Sequence, residues 1–479
     1  MAERTRLNVS ADSSERADFF DTVSDLLPKW RKRNRYYYQG ISDYCRHVIP
    51  EGSSVLEIGC GHGDLLASVK PTRGLGIDLS PRMVAQAQKN HPGLEFRVGC
   101  AENLEFDETF DYILVSDLVG LLPDVQRVFK ELRKVVSPDT RVVVTYYNYL
   151  WEPALKVAEW LRLRMTSPIQ NWLPLSDIEN LLYLAGFEVV KKGYRFLIPK
   201  RLPLISGLAN TYLAKMPILR RLCLAEVLIA RQIPIEPRSV PSCTVVIPCR
   251  NEKGNIEAAF QRVPKLGSGT EIIFIDGNSE DDTVAEIRRC TGEYPNQSVT
   301  LLLQGDGVGK GDAVRKAFAK AKNDVLMILD ADLTVPPEDL PKFVDALVEG
   351  KGDFINGSRL VYPMESQAMR FLNLLGNKFF SVAFTYLLEQ QIRDTLCGTK
   401  VLYRRDYERI AANRHYFGDF DPFGDFDLLF GAAKLNLKIV EVPIRYRDRT
   451  YGTTQISRFR HGLLLLRMTL FAMRKIKFV

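Results

Sequence analysis

Residues 54–64 read SVLEIGCGHGD. A short apolar run ends at Glu57 and passes directly into glycines at 59, 61 and 63. Glycine at these points lets the backbone turn tightly and lets a ligand approach closely. The G-x-G-x-x-G fingerprint would need glycine at 64, where Asp64 stands, so a pyrophosphate-bearing cofactor is disfavoured. Outward from this loop, the runs GLGID, YILVS and RVVVTYY alternate with amphipathic stretches up to residue 147, the pattern of βαβ units and a parallel sheet. Asp78 ends the second strand, where a carboxylate suits a ribose diol. Cys100, Glu102, Asn103 and Asp117 fall at later strand ends, where open α/β sheets bind ligands.

This run resembles the class I S-adenosylmethionine-dependent methyltransferases over roughly residues 20–230, with VLEIGCGHG similar to their first motif. The resemblance implies that Glu57, Gly59, Gly61 and Gly63 line the cofactor and that Asp78 holds its ribose. It places Glu102 or Asn103 near the adenine and Asp117 by the methyl end. The sulfonium methyl is already activated, so the protein's task is largely positioning. The methyl acceptor is not legible. His62 reads as structural, and the aromatic-basic patch from Trp30 to Tyr38 reads equally well as a cover for the cofactor or as packing.

A second β/α series begins at Cys243 with TVVIP, EIIFID, VTLLLQ, VLMILD and DFINGS. VVIPCRNEKGNIE (245–257) and IIFIDGNSEDDT (272–283) each run from a strand into a polar turn, and VGKGDAVRKAF (308–318) sets Lys310 and glycines before a helix. Then comes VLMILDAD (325–332). On an extended chain Asp330 and Asp332 point the same way. Such an all-oxygen pair suits Mg²⁺ or Mn²⁺ holding a diphosphate.

This half resembles the family 2 inverting glycosyltransferases of GT-A fold, across nearly all of residues 243–455. More narrowly it is similar to the polyprenyl-phosphate or dolichyl-phosphate sugar transferases. NGSRL (356–360), MRFLNLLGNKFF (369–380), RDTLCGTK (393–400) and the basic segment 445–462 carry the narrower likeness. It implies nucleotide-sugar contacts from Pro248, Arg250, Glu252, Asp276, Lys310, Asp330 and Arg359. Metal ligation falls to Asp330 and Asp332, with Asp332 also counted as catalytic, and phosphate or acceptor contacts to Arg370, Arg449 and Arg458. Arginine suits phosphate because its planar fork donates several hydrogen bonds at once. The common pattern of two acids before Gly-Ser is replaced by DGNS at 276–279, which favours the lipid-phosphate subgroup. A lipid phosphate is already anionic and needs cations, whereas a hydroxyl acceptor needs a general base. Asp425, in FDPFGDFDLLF (420–430), is the candidate for that base, beside Asp427.

The expected architecture is therefore α/β with two Rossmann-like domains. A methyltransferase domain spans 1–232 and a linker 233–242. A GT-A domain with an amphipathic C-terminal tail spans 243–479. The apolar share of 46 % and charged share of 26 % are those of an ordinary globular chain, and the net charge of +7 is spread out except near the C-terminus. Eight cysteines form no C-x-x-C pair, against a zinc site or a disulfide framework. No apolar run reaches the length of a membrane span. A cytoplasmic protein is expected, peripheral on a membrane through its basic-apolar tail (456–479), with that tail packed on the core as the plainer alternative. The expected cofactors are S-adenosylmethionine and Mg²⁺ or Mn²⁺. The expected partners are a nucleotide-sugar and a polyprenyl-phosphate or glycan acceptor, without nucleic acid. Two alternatives stay open: a hydroxyl-directed glycosyltransferase with Asp425 as base, and an adaptor in which one domain only binds a ligand.

Overall fold

The structure is a computed structural model and describes residues 13–165, 170–234, 237–307, 309–359, 371–416, 425–447, 449, 451 and 458–478. The chain divides into two compact units at Ile233/Pro234, inside the proline-rich stretch expected to be the linker.

In the first unit, three helices (Ser13–Ser24, Leu27–Arg33 and Arg35–Val48) precede the sheet. The strands are β1 Ser54–Ile58, β2 Arg73–Asp78, β3 Glu95–Val98, β4 Phe110–Ser116, β5 Val136–Tyr147, β6 Phe187–Arg195 and β7 Ala225–Gln232. Their order is β3-β2-β1-β4-β5-β7-β6, with β7 antiparallel to both neighbours and the rest of the sheet parallel. Residues 150–230 hold the helices Glu152–Trp160, Leu175–Leu184 and Ile205–Thr211, with β6 on the stretch FEVVKKGYR between the second and third and β7 after the third.

Alternate residues of the central strands enter different cores. Leu56, Ile58, Ile113 and Val115 pack in one cluster, while Val55, Tyr112 and Leu114 pack in another. This is the two-faced burial of a parallel sheet, and it explains why these strands read as unbroken apolar runs. The order reverses between β1 and β4, so the loops after these strands diverge and leave a crevice.

The second unit holds β8 Cys243–Cys249, β9 Thr270–Asp276, β10 Ser298–Leu303, β11 Val325–Ile328, β12 Phe354–Ser358, β13 Lys400–Tyr403 and β14 Ile439–Pro443. Their order is β10-β9-β8-β11-β13-β12-β14, with β13 antiparallel between β11 and β12. The switch point lies between β8 and β11. Strand β11 stops at Ile328, so Asp330 and Asp332 stand on a turn rather than on extended chain. Leu333, at φ +50°, donates its N–H to the Asp330 carbonyl at 3.0 Å and closes that turn.

The tail forms the helix Arg458–Ala472 and a wider turn to Lys477. Leu465, Met468 and Ala472 are buried in the second unit's core, while Leu463, Leu466 and Leu470 are exposed. Among the described residues no helix is long and apolar enough to cross a membrane.

Candidate active sites

A cavity of about 1060 Å³ opens over the β1/β4 crevice of the first unit. Gly59 and Gly61 line it, at φ +73° and +52°. A Cβ on Gly59 would come within 2.9 Å of Leu118, so both the turn and the space require glycine. Gly63, at φ +77°, lies outside the lining; its place is taken up by the Phe96 ring, 2.5 Å from where a Cβ would stand. Its role is packing and starting the helix Asp64–Ser68.

Glu57 is buried in the cavity wall and accepts the Leu66 N–H at 3.0 Å. Burial, reinforced by Asp78, pushes its carboxyl up to about 8 against the pull of Arg31 and the Leu66 N–H. Asp78 lines the cavity and accepts the N–H groups of Gly61 (2.8 Å) and Ser80 (3.0 Å), which fixes its carboxylate beside the glycine loop. Glu102 also lines the cavity, paired with Arg16 at 2.7 Å, both side chains nearly buried. Asn103 is exposed, lies outside the lining and donates to Glu105 at 3.1 Å, so of the expected pair only Glu102 faces the cavity.

Asp117 directly follows β4 at φ +53° and accepts the Tyr37 hydroxyl on both oxygens, at 2.8 and 3.0 Å. Burial raises its carboxyl to about 6, although Tyr37 and Thr145 favour the charged form. Burial and then Asp117 push the Tyr37 hydroxyl well above its ordinary range, so it stays a donor. Tyr37 stacks on Tyr147 at 5.5 Å, and Arg164 lies 5.1 Å over the Tyr147 ring. The Trp30–Tyr38 patch does line the cavity through Trp30, Arg31, Tyr37 and Tyr38. The helix Ser13–Ser24 adds Arg16, Phe19, Phe20 and Val23, a wall that sequence reasoning did not find. His62 is buried with its Nε2 3.1 Å from the Ser24 hydroxyl and lies outside the lining.

In the second unit the expected residues gather at the C-terminal ends of β8, β9 and β11. Pro248 is half-buried at the end of β8 and Arg250 is exposed beyond it. Asn251, at φ +57°, donates its N–H to the Ser279 hydroxyl at 2.9 Å, which ties the β8 turn to the β9 turn. Asp276 is buried and accepts the Ser279 hydroxyl (2.5 Å) and N–H (3.1 Å), so it shapes the DGNS turn.

Lys310 pairs with Asp330 at 2.7 Å. Burial opposes charge on Asp330, but Lys310, with Lys400 and Arg359 behind it, holds the carboxyl below its usual value. Asp332 accepts the Thr334 hydroxyl at 2.8 Å and the Arg449 guanidinium at 2.5 Å. The same Arg449 stands 3.9 Å from Glu252, whose carboxyl is raised mainly by burial. The basic segment is anchored here twice more. Arg447 donates its N–H to the Thr334 carbonyl at 3.0 Å, and the Tyr451 ring covers Gly254, 2.5 Å from where a Cβ would stand.

Arg359 departs from expectation. Its guanidinium makes a bidentate pair with Asp394 at 2.7 and 2.8 Å and lies 5.1 Å over the Tyr446 ring. Asp394 is fully buried, so the fork expected to hold phosphate is spent on a structural acid. Asp427 is likewise paired, with Arg414 at 3.0 Å. Asp425 opens the helix Asp425–Lys434 and Arg458 opens the tail helix; both side chains, and Arg370 entirely, lie outside the described residues. Sequence reading missed Lys400, which is fully buried, donates to the Cys397 carbonyl and acts on Asp330; a lysine inside an apolar strand was the available signal.

Among the described residues no group of three or more His, Cys, Asp or Glu could cage a metal. Two carboxylates on one turn still fit Mg²⁺ or Mn²⁺, because Mg²⁺ commonly takes one or two carboxylates and completes its shell with substrate phosphates and water. The first unit's cavity fits a nucleoside cofactor: Gly59 and Gly61 line it at positive φ, and Asp78 is fixed beside them through the Gly61 N–H.

The profile described as Glycosyl transferase family 2 matches residues 244–410, and one described as Methyltransferase domain matches residues 30–192. A dolichol-phosphate mannosyltransferase of Pyrococcus furiosus is 29 % identical over 219 residues, 45 % of this chain and 59 % of the relative. A dolichyl-phosphate hexose transferase of Haloferax volcanii is 30 % identical over 220 residues, 46 % of this chain and 88 % of the relative. A phthiotriol/phenolphthiotriol dimycocerosates methyltransferase of Mycobacterium ulcerans is 33 % identical over 172 residues, 34 % of this chain and 61 % of the relative. The chain thus spans about three-fifths of the first and third of these proteins.

Proposed function

Because the chain belongs to glycosyl transferase family 2 through its C-terminal half and carries a methyltransferase domain in its N-terminal half, we propose that it is a bifunctional enzyme. The second unit transfers a sugar from a nucleotide-sugar to a polyprenyl phosphate. The first transfers a methyl group from S-adenosylmethionine.

The observation that carries the sugar reaction is Arg449, held between Asp332 and Glu252 by a segment folded back onto the strand ends. An acceptor phosphate brings its own negative oxygen and needs positioned cations rather than a base. Its oxygen forms the new bond to the anomeric carbon as the bond to the nucleoside diphosphate breaks, and the diphosphate leaves with the electron pair. Lys310 and Arg449, beside Asp330 and Asp332, would hold the phosphates of donor and acceptor. Asp330 and Asp332 would hold Mg²⁺ or Mn²⁺, which would neutralise charge on the leaving diphosphate. The relatives named for dolichyl phosphate support this acceptor class.

In the first unit, Glu57, Gly59, Gly61, Asp78 and Glu102 would hold the cofactor, which supplies an electrophilic methyl on sulfur. Asp117, which lines the cavity and accepts the Tyr37 hydroxyl, would stand near that methyl and take the acceptor's proton. The tail's exposed leucines, with Arg467, Arg474 and Lys475, suit contact with the membrane that holds a polyprenyl acceptor.

The test is to supply the purified chain with UDP- and GDP-sugars and Mg²⁺ or Mn²⁺, with and without polyprenyl phosphate. Sugar on the lipid only when the phosphate is present is the expected result. Donor turnover indifferent to the lipid overturns the acceptor assignment in favour of a hydroxyl, with Asp425 as base.

A further inference from the structure

Residues 200–222 of the first unit, KRLPLISGLANTYLAKMPILRRL, expose an unusual run of large apolar side chains. Leu204 is 85 % exposed and Ile218 81 %, with Leu202, Ile205, Leu208 and Met216 open around them. Single exposed leucines are ordinary, but a contiguous set this dense marks a surface that something covers. Leu204 adds a second cost. It is held at φ +63°, a conformation that bulky side chains rarely adopt.

Charge identifies the cover. From residue 189 to 225 the chain contains no Asp or Glu. Basic pairs flank the apolar run at both ends, Lys200–Arg201 and Arg220–Arg221. An acid-free apolar patch with a basic rim is complementary to an anionic lipid surface: leucines enter the acyl boundary while Lys and Arg meet headgroup phosphates.

The patch is continuous with the rim of the first unit's cavity. Lys200 and Pro199 line that cavity. Asn148 donates to the carbonyls of Arg221 (2.8 Å) and Cys223 (3.0 Å), and Trp151 donates to that of Leu222 at 2.9 Å. These bonds tie the patch to the turn that leads into the helix Glu152–Trp160. Ala154, Leu155 and Ala158 of this helix face the cavity, while Val157 and Trp160 stand in solvent, Trp160 at 78 % exposure.

We propose that residues 200–222 dock the methyltransferase unit on an anionic bilayer, with the rim of its cavity at the headgroup layer. Tyr212 within this segment packs on the Phe478 ring at 5.5 Å, and the contact is independent of which sugar reaction the second unit performs.

The experiment uses the full chain with vesicles of phosphatidylcholine alone and of phosphatidylcholine mixed with phosphatidylglycerol. Hydrogen exchange of the wild-type chain should slow across 200–222 when the mixed vesicles are added and not with phosphatidylcholine alone. The double variant Leu204→Glu/Ile218→Glu should lose that protection and bind mixed vesicles at least about tenfold more weakly, with affinity for S-adenosylmethionine unchanged. Vesicle binding without protection at 200–222, equal protection by both vesicle types, or wild-type binding by the double variant would each overturn the proposal.

Discussion

Glu57 carries a proton where most glutamates do not. Its ordinary value of 4.5 is raised to about 8 by burial first, so the folded first unit binds this proton more tightly than the unfolded chain does. A raised carboxyl favours the fold while it is protonated, so that contribution shrinks as pH climbs from about 4.5 toward about 8 and is then fully lost. Gln copies the neutral acid and can still accept the Leu66 N–H. Glu57→Gln should therefore flatten the decline of the first unit's Tm over that range and raise Tm above pH 8 by at least about 2 °C. Scanning calorimetry across pH checks this; a decline as steep as in the wild type would show that Glu57 ionises elsewhere on the scale. Asp117, raised to about 6, follows the same sign over a lower window. At this scale the sequence was informative about identity and less so about partners. Asp78, Glu102 and Asp117 do face the cavity. Neither the spending of Arg359 on buried Asp394 nor the exposure of Asn103 could be read from chain position, because both depend on contacts across the fold.

The helix Ser13–Ser24 is an element held at its start by one buried ion pair. Arg16 and Glu102 are 86 residues apart and meet at 2.7 Å in the cavity wall. Arg16→Ala leaves Glu102 buried without its counter-charge, a loss of roughly 3 kcal/mol for such pairs. The expected results are faster proteolysis within residues 13–24 and weaker binding of S-adenosylmethionine, measured by limited digestion and calorimetric titration. Unchanged digestion would mean the helix is retained by its other contacts, the apolar Phe19, Phe20 and Val23 together with the hydrogen bonds of Asp21 to Ser80 and Arg82 and of Ser24 to His62. Elements also show where sequence patterns fail. The buried runs at β1, β4, β8, β9 and β11 announced themselves, because both faces of a parallel strand are apolar. Strand β3, EFRV, buries only Phe96. Strand β7, AEVLIARQ, is made of good helix formers and is a strand only because β5 and β6 pair with it on both sides. Strand β13, KVLY, is too short to show a period and carries a buried lysine.

The whole molecule comprises two units, each with its own core clusters and its own candidate site. Chemistry in one should survive loss of the other. Asp332→Asn removes a charge from the acid turn and should reduce donor turnover at least about a hundredfold, while methyl transfer and S-adenosylmethionine affinity stay at wild-type values. Loss of both would make the two sites one functional body. The separateness of the units was legible from the proline-rich stretch at 232–242 and the change of motif across it.

The acid turn of the second unit already has its opposite charges in place: Lys310 sits on Asp330 and Arg449 on Asp332. A divalent cation bound there, as proposed above, would meet no bare anionic hole. It would have to displace one tethered ammonium and one tethered guanidinium, and the donor's phosphates would offer those cations new seats. Loading would then be an ion exchange that nearly conserves charge, and the turn would act less as a trap for metal than as a resin in its resting form.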